Sequence, residues 1–276
     1  MSDRKAAMSQ RNKVTLMELG RMLDDQEPIS VLTAYDASFA KLLDQAGVDC
    51  VLVGDSLGNV IQGRKTTVPV TMDDMIYHVE AVRRGVQRAM LIADMPYMSY
   101  PNRDVAVTNA ARLMQAGAAM VKLEGGTEII IDSVRALTDL GVPVCGHLGL
   151  TPQSVHQLSG YRVQGRSTQA RETLLRHSHA LAEAGAAMLV LECIPAALAE
   201  AVQAELKIPI IGIGAGRAVA GQVLVLHDML GIPGEHAPRF VRNFLAEGGS
   251  IQAAVEAYVE AVKQGRFPSD EESFLD

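Results

Sequence analysis

Short, predominantly apolar runs recur along the chain, and amphipathic helical patterns fill the intervals between them. The runs are ISVLTAYD (29–36), CVLVGDS (50–56), AMLIADM (89–95), AMVKLEG (119–125), VPVCGHL (142–148), AMLVLEC (187–193), IPIIGIG (208–214) and QVLVLHD (222–228). Continuous apolarity over such lengths suits strands covered on both faces, as in a parallel sheet. The helical patterns have recognisable starts: Thr71 and Asp74 set a capping box ahead of MDDMIYHVEAVRRG, Thr127 precedes EIIIDSVRALTDLG, and Pro195 opens PAALAEAVQAEL. Gly47, Gly117, Gly141 and Gly185 stand where left-handed C-terminal caps would close several of these helices.

A local repeat points the same way. AGAAMVKLE (116–124) and AGAAMLVLE (184–192) are nearly identical, and AGVDCVLVGD (46–55) is a looser copy. Each is a helix end, a tight turn and a buried strand. Eight such units predict one α/β domain over residues 1–276, a (β/α)8 TIM barrel whose site lies at the C-terminal ends of the strands. A doubly wound open sheet is the alternative, but GIGAG (212–216) lacks the dinucleotide fingerprint because Arg217 stands where its last glycine belongs.

Residues 57–71 and 149–167 form long insertions on the site-building side, where loops cover substrate. TLMELGRMLDD predicts an extra N-terminal helix plugging the barrel bottom, and two further helices are expected near 238–247 and 250–264. Residues 1–13 are expected to be flexible. The acidic tail, residues 266–276, is expected to be loose or swapped onto a neighbouring subunit.

Composition narrows the setting. A net charge of −7 and a pI near 5.5 argue against nucleic acid or an anionic membrane as partner. Cys50, Cys145 and Cys193 all fall in apolar strand-like runs, so they read as reduced, buried thiols with no zinc pattern. With no signal peptide or membrane-length run in view, the expected location is cytoplasmic.

The chemistry gathers at the ends of the runs. Asp55, Asp94, Glu124 and Glu192 recur at equivalent strand ends, and such a cluster cannot stay fully ionised without a cation or a shared proton. Oxygen-only ligands make Mg²⁺ the first choice. Lys122 shares a strand face with Glu124, so the two either form a structural ion pair or do chemistry. His147 is placed to bond a substrate carbonyl or carboxylate, or else to anchor the following loop; Ser56 either holds a substrate carboxylate or steadies a turn. Asp36 and Asp228 fit helix capping better, and His177 and His179 lack partner spacing.

The segments TAYDASFA (33–40), VGDSLGNVIQG (53–63), ADMPYMSY (93–100), VKLEGG (121–126), VCGHLGLTPQSV (144–155), VLECIP (190–195) and IGIGAG (211–216), in this order, resemble the ketopantoate hydroxymethyltransferase family. The resemblance runs from about residue 14 to the tail. It implies transfer of the one-carbon unit of 5,10-methylenetetrahydrofolate, as co-substrate, to 3-methyl-2-oxobutanoate, giving 2-dehydropantoate by an aldol-type step in pantothenate biosynthesis. It further implies one Mg²⁺ per subunit on Asp55 and Asp94, with Glu124 completing the metal environment directly or through water. Substrate would be held by Asp55, Ser56, Asp94, Lys122 and His147, and Glu192 would act as proton acceptor. The implied assembly is a homo-oligomer, commonly a decamer.

Three other readings stand beside this one. A metal-dependent lyase or mutase of the phosphoenolpyruvate mutase and isocitrate lyase type would share the strand-end carboxylates. A Schiff-base aldolase would use Lys122 as nucleophile. A non-catalytic oligomeric barrel would need none of these groups.

Overall fold

A computed structural model of the chain describes residues 12–158, 160, 162–232 and 237–275. Eight parallel strands close into a barrel in sequential order: β1 (Ile29–Thr33), β2 (Cys50–Val53), β3 (Met90–Asp94), β4 (Met120–Glu124), β5 (Val144–Gly149), β6 (Met188–Glu192), β7 (Ile210–Ile213) and β8 (Gly221–Leu224). The ring closes where β8 pairs with β1, Val223 opposite Val31. Residues 1–11, which include most of the segment expected to be flexible, lie outside the described residues.

Strand alternation divides the apolar residues between two cores. Val51, Val53, Leu91, Ala93, Val121, Leu123, Leu189 and Leu191 face outward into the layer shared with the helices. Cys50, Leu52, Met90, Ile92, Met120, Cys145, Met188 and Val190 fill the barrel interior. Each such buried aliphatic side chain contributes about 1.5–3 kcal/mol on leaving water. The same alternation carries Asp94, Lys122, Glu124, His147 and Glu192 inward at the upper end of the strands.

The helix Leu16–Asp24 closes the bottom as expected. Its Leu19 and Met22, with Val14 before it, join the barrel-interior core. The Thr71–Asp74 capping box is formed, and Gly47, Gly117, Gly141 and Gly185 all adopt positive φ. Asp36 caps the helix Ala37–Ala46, accepting from the amides of Ser38 and Phe39.

The C-terminal half departs from expectation in three places. QVLVLHD is not one strand: β8 ends at Leu224, and Leu226–Met229 is a short helix containing Asp228. The helix expected over 238–247 is reduced to Leu245–Gly248, whereas Ile251–Lys263 forms fully and packs on β1 and on the helix Ala37–Ala46. Tyr258 anchors it, donating to the carbonyls of Val31 and Gln222 at 2.9 Å.

The tail is docked on its own barrel. Phe267 is buried, the Ala196 amide donates to the Phe274 carbonyl at 2.7 Å, and Arg242 pairs with Glu272 at 2.6 Å. The apolar anchors Phe267 and Phe274 override the acidic composition around them. Among the described residues no helix is long and apolar enough to cross a membrane.

Candidate active site

A cavity of about 500 Å³ opens at the C-terminal end of the barrel, lined by Asp55, Ser56, Asp94, Lys122, Glu124, His147 and Glu192 among others. Every residue expected in the site is therefore brought to one place. Lys122 Nζ lies 2.6 Å from Asp94 Oδ1, both groups buried. Asp94 Oδ2 in turn accepts the backbone amide of Asp55 at 3.0 Å. The Lys122 partner is thus Asp94, across the β3–β4 register, rather than Glu124 on its own strand.

His147 stands between two carboxylates. Its Nδ1 is 3.3 Å from Glu124 Oε1 and its Nε2 is 3.2 Å from Glu192 Oε2, but Nε2 and Glu124 Oε1 have no hydrogen-bond partner among the described residues. These contacts are close and oblique, so they act through charge rather than as directed bonds. Burial and Lys122 oppose a positive ring, yet Glu124 and Glu192 outweigh them and push the imidazole up to about 9. Lys122 Nζ also lies 3.4 Å from Nδ1, a contact that favours the neutral ring. Two carboxylates flank the ring against one ammonium, and together they set the direction of the shift.

Burial alone disfavours the Lys122 cation, but Asp94, Glu124 and Asp55 overcome it and hold the amine above its usual range. A Schiff-base lysine needs the opposite, a depressed pKa that frees the lone pair. Asp55 is pushed up to about 8, first by burial and then by the charges of Asp94 and Glu124. Glu124 moves the other way: burial opposes its charge, and His147, Lys122 and the Gln153 amide prevail.

Sequence reasoning missed three residues that brace the site, two at its acids and one at Ser56. Gln153, in the 3₁₀ turn Pro152–Ser154 after β5, donates its side-chain amide to Asp55 Oδ2 at 2.9 Å and to the Met95 carbonyl at 2.9 Å. Its backbone amide donates to Glu124 Oε2 at 3.0 Å. Tyr100 bonds Gln153 Oε1 and accepts the Glu124 amide at 3.3 Å. Tyr35 joins hydroxyls with Ser56 at 2.8 Å, orienting that side chain at the cavity wall. The one sequence signal for Gln153 is Pro152, which opens an ordered turn inside a long insertion.

Two earlier placements need correction. Cys193 is not within a strand: it follows β6 with φ +48° and lines the cavity, where burial raises its thiol. Asp228 does not cap a helix. It lies in the short helix after β8 and faces the same cavity.

The profile of the ketopantoate hydroxymethyltransferase family matches residues 13–270. The chain belongs to that family. It is 53% identical over 262 residues to a 3-methyl-2-oxobutanoate hydroxymethyltransferase of Alteromonas mediterranea, covering 95% of this chain and 99% of the relative. The corresponding enzyme of Colwellia psychrerythraea is also 53% identical, with the same coverage. The chain is accordingly an enzyme, a hydroxymethyltransferase by kinship.

Solved structures of other enzymes share the fold of this hydroxymethyltransferase family member. Phosphonopyruvate hydrolase in complex with oxalate and Mg²⁺ aligns with TM-score 0.62 at 16% identity, over 93% of this chain and 92% of that one. A phosphoenolpyruvate phosphomutase from Streptomyces platensis subsp. rosaceus aligns with TM-score 0.61 at 16% identity, over 86% and 89%. Identities this low establish the barrel and nothing about the reaction.

The residues of the hydroxymethyltransferase site fit a hard divalent cation with few protein ligands. Glu124 Oε1 is a buried oxygen without a hydrogen-bond donor, and burial together with the charges of Asp94 and Glu124 raises Asp55 to about 8 although Lys122 opposes the rise, so the acids outnumber the one cation among them. Among the described residues no group of three or more His, Cys, Asp or Glu side chains stands ready to enclose a metal. Mg²⁺ suits that economy, since it uses one or two carboxylates and keeps waters for substrate oxygens to replace.

Proposed function

We propose that the protein transfers the one-carbon unit of 5,10-methylenetetrahydrofolate to 3-methyl-2-oxobutanoate, giving 2-dehydropantoate. The observation that carries this reading is the division of the cavity's acids. Asp55, Asp94 and Glu124 cluster around Lys122, while Glu192 stands apart beyond His147.

Asp55 and Asp94 would hold one Mg²⁺, with Glu124, anchored at Oε2 by the Gln153 backbone amide, completing the metal's surroundings directly or through water. When bound, the cation supplies Lewis-acid polarisation of the keto oxygen. Lys122 adds a fixed positive charge beside Asp94, and the Ser56 hydroxyl, held by Tyr35, is offered to the substrate carboxylate. Glu192 takes the proton from C3, leaving an enolate whose C3 bonds to the donor's methylene carbon; both C–N bonds to that carbon break, a water supplies the hydroxyl oxygen, and the C3 proton and one proton of that water go to the two nitrogens of the departing tetrahydrofolate. His147, 3.2 Å from Glu192, positions that carboxylate and balances its charge before the transfer. The reading extends to a single-domain cytoplasmic enzyme of pantothenate biosynthesis that assembles as a homo-oligomer, by family resemblance a decamer.

The test is formation of 2-dehydropantoate from the two substrates with and without Mg²⁺. Activity abolished by EDTA and restored by Mg²⁺ supports the reading. Trapping of oxo acid on Lys122 by borohydride, with indifference to EDTA, replaces it with a Schiff-base aldolase.

A further inference from the structure

The cavity has more wall than a five-carbon oxo acid requires. Its acidic floor comes from the ends of β2 to β6. The ends of β7 and β8 and the C-terminal segment build the other side, with Ile213, Asp228, Arg239, Phe240 and Phe274. Gly214 makes that side possible. Its φ is +59°, and a Cβ there would lie 2.8 Å from the Phe240 ring and 3.2 Å from the Phe274 ring, so both rings close directly over the end of β7.

The rest of the wall is equally ordered. Phe274 comes from the far end of the chain and is fixed by its carbonyl, which accepts the Ala196 amide at 2.7 Å. Arg239 donates from Nε to the Glu271 carbonyl at 2.7 Å, and its guanidinium carbon lies 5.9 Å from the Phe274 ring centre. It is exposed at the rim. Asp228 is half-buried, and its carboxyl makes no hydrogen bond or ion pair with any described residue. Burial, and secondarily the charge of Glu192, push it up to about 6.

These groups specify a ligand by its chemistry. Two aromatic rings favour a flat partner, a lone carboxyl suits an edge bearing adjacent N–H donors, and a rim arginine suits an anionic tail. A reduced folate has all three: a bicyclic pterin with a ring N–H beside an amino group, and a glutamate tail. We propose that this wall seats the one-carbon donor, with Phe240 and Phe274 against its rings, Asp228 accepting from the pterin's N–H and amino groups, and Arg239 meeting a tail carboxylate. The proposal rests on the reaction assigned above and adds the subsite that reaction needs. It leaves the acidic floor to the oxo acid, with Glu192 between the two.

The test uses the full chain with Mg²⁺ and both substrates. Phe274→Leu and Asp228→Asn are each expected to raise KM for methylenetetrahydrofolate about tenfold, the scale of one lost ring contact or charge-assisted pair, with KM for the oxo acid within about twofold. Arg239→Gln should weaken a glutamate-bearing folate more than a pteroate lacking that tail. A measurement on the unaltered protein guards against variants that fold poorly: tetrahydrofolate should slow hydrogen exchange at residues 239–241 and 271–275. Folate KM unchanged in both variants, or no protection of those segments, overturns the subsite while the reaction stands. Wild-type protein that cannot use methylenetetrahydrofolate at all overturns both.

Discussion

Gln153 reaches across the barrel mouth from the loop after β5 and donates its side-chain amide to Asp55 at 2.9 Å. One residue thereby fixes two acids, because its backbone amide also holds Glu124 at 3.0 Å. The loop covering the site is the same element that orients the carboxylates beneath it.

Replacing Gln153 by Ala should loosen Asp55 and strand the Tyr100 hydroxyl. Partners at this remove from a metal commonly tune its affinity 10–100-fold, so about that loss of Mg²⁺ affinity is expected. Calorimetric titration of wild type and variant with Mg²⁺ checks it. Equal affinities would show that Asp55 needs no such support.

Lys122→Met removes the buried ammonium that Asp94 faces at 2.6 Å. Leaving a buried charge without its partner costs about 3–5 kcal/mol, and thermal unfolding without metal should show a loss of that order. Added Mg²⁺ should restore part of it, since the cation supplies the missing positive charge to the same acids. A loss that Mg²⁺ does not relieve would separate the ion pair from the metal site.

Asp228 gives a pH dependence of definite sign. Burial and Glu192 raise its carboxyl from 3.8 to about 6 in the folded protein. The folded state therefore holds the proton more tightly than the unfolded one, and this group's contribution to stability falls as pH rises from near 3.8 to near 6. Asp228→Asn should remove that loss and stabilise the protein by about 1–3 kcal/mol above pH 6, discounted for partial exposure, with no gain below pH 4. Denaturant unfolding of both proteins across that pH range measures it; a constant difference would contradict the assignment.

Gly149, at the end of β5, has φ +92°, and a Cβ there would lie 2.2 Å from the Glu192 carbonyl oxygen. Gly149→Ala should displace the end of β6 and cost at least about 1–3 kcal/mol of stability. Activity should fall further than Tm suggests, because the displaced residue is Glu192. Thermal melting alongside turnover checks the pairing.

The barrel and the acids of its floor were legible because they depend on local order. Alternation within β3, β4 and β6 sends Asp94, Lys122, Glu124 and Glu192 inward whatever the loops do. Gln153, Tyr100 and Tyr35 were not legible, since their roles arise only when separate loops fold back over the rim. Asp228 was misplaced because QVLVLHD is apolar enough to read as one strand, whereas the chain leaves the sheet after Leu224. The tail misled through composition: its acids suggested a loose segment, and Phe267 and Phe274 pin it.

The central claim is that Glu192 removes the C3 proton of the oxo acid. It is tested most directly by deuterium exchange at C3 of 3-methyl-2-oxobutanoate, followed by NMR in heavy water with Mg²⁺ and no folate. Glu192→Gln, which preserves shape and removes the base, should reduce the exchange rate by at least about 10²-fold while oxo-acid binding persists. Exchange at the wild-type rate in that variant would contradict the account.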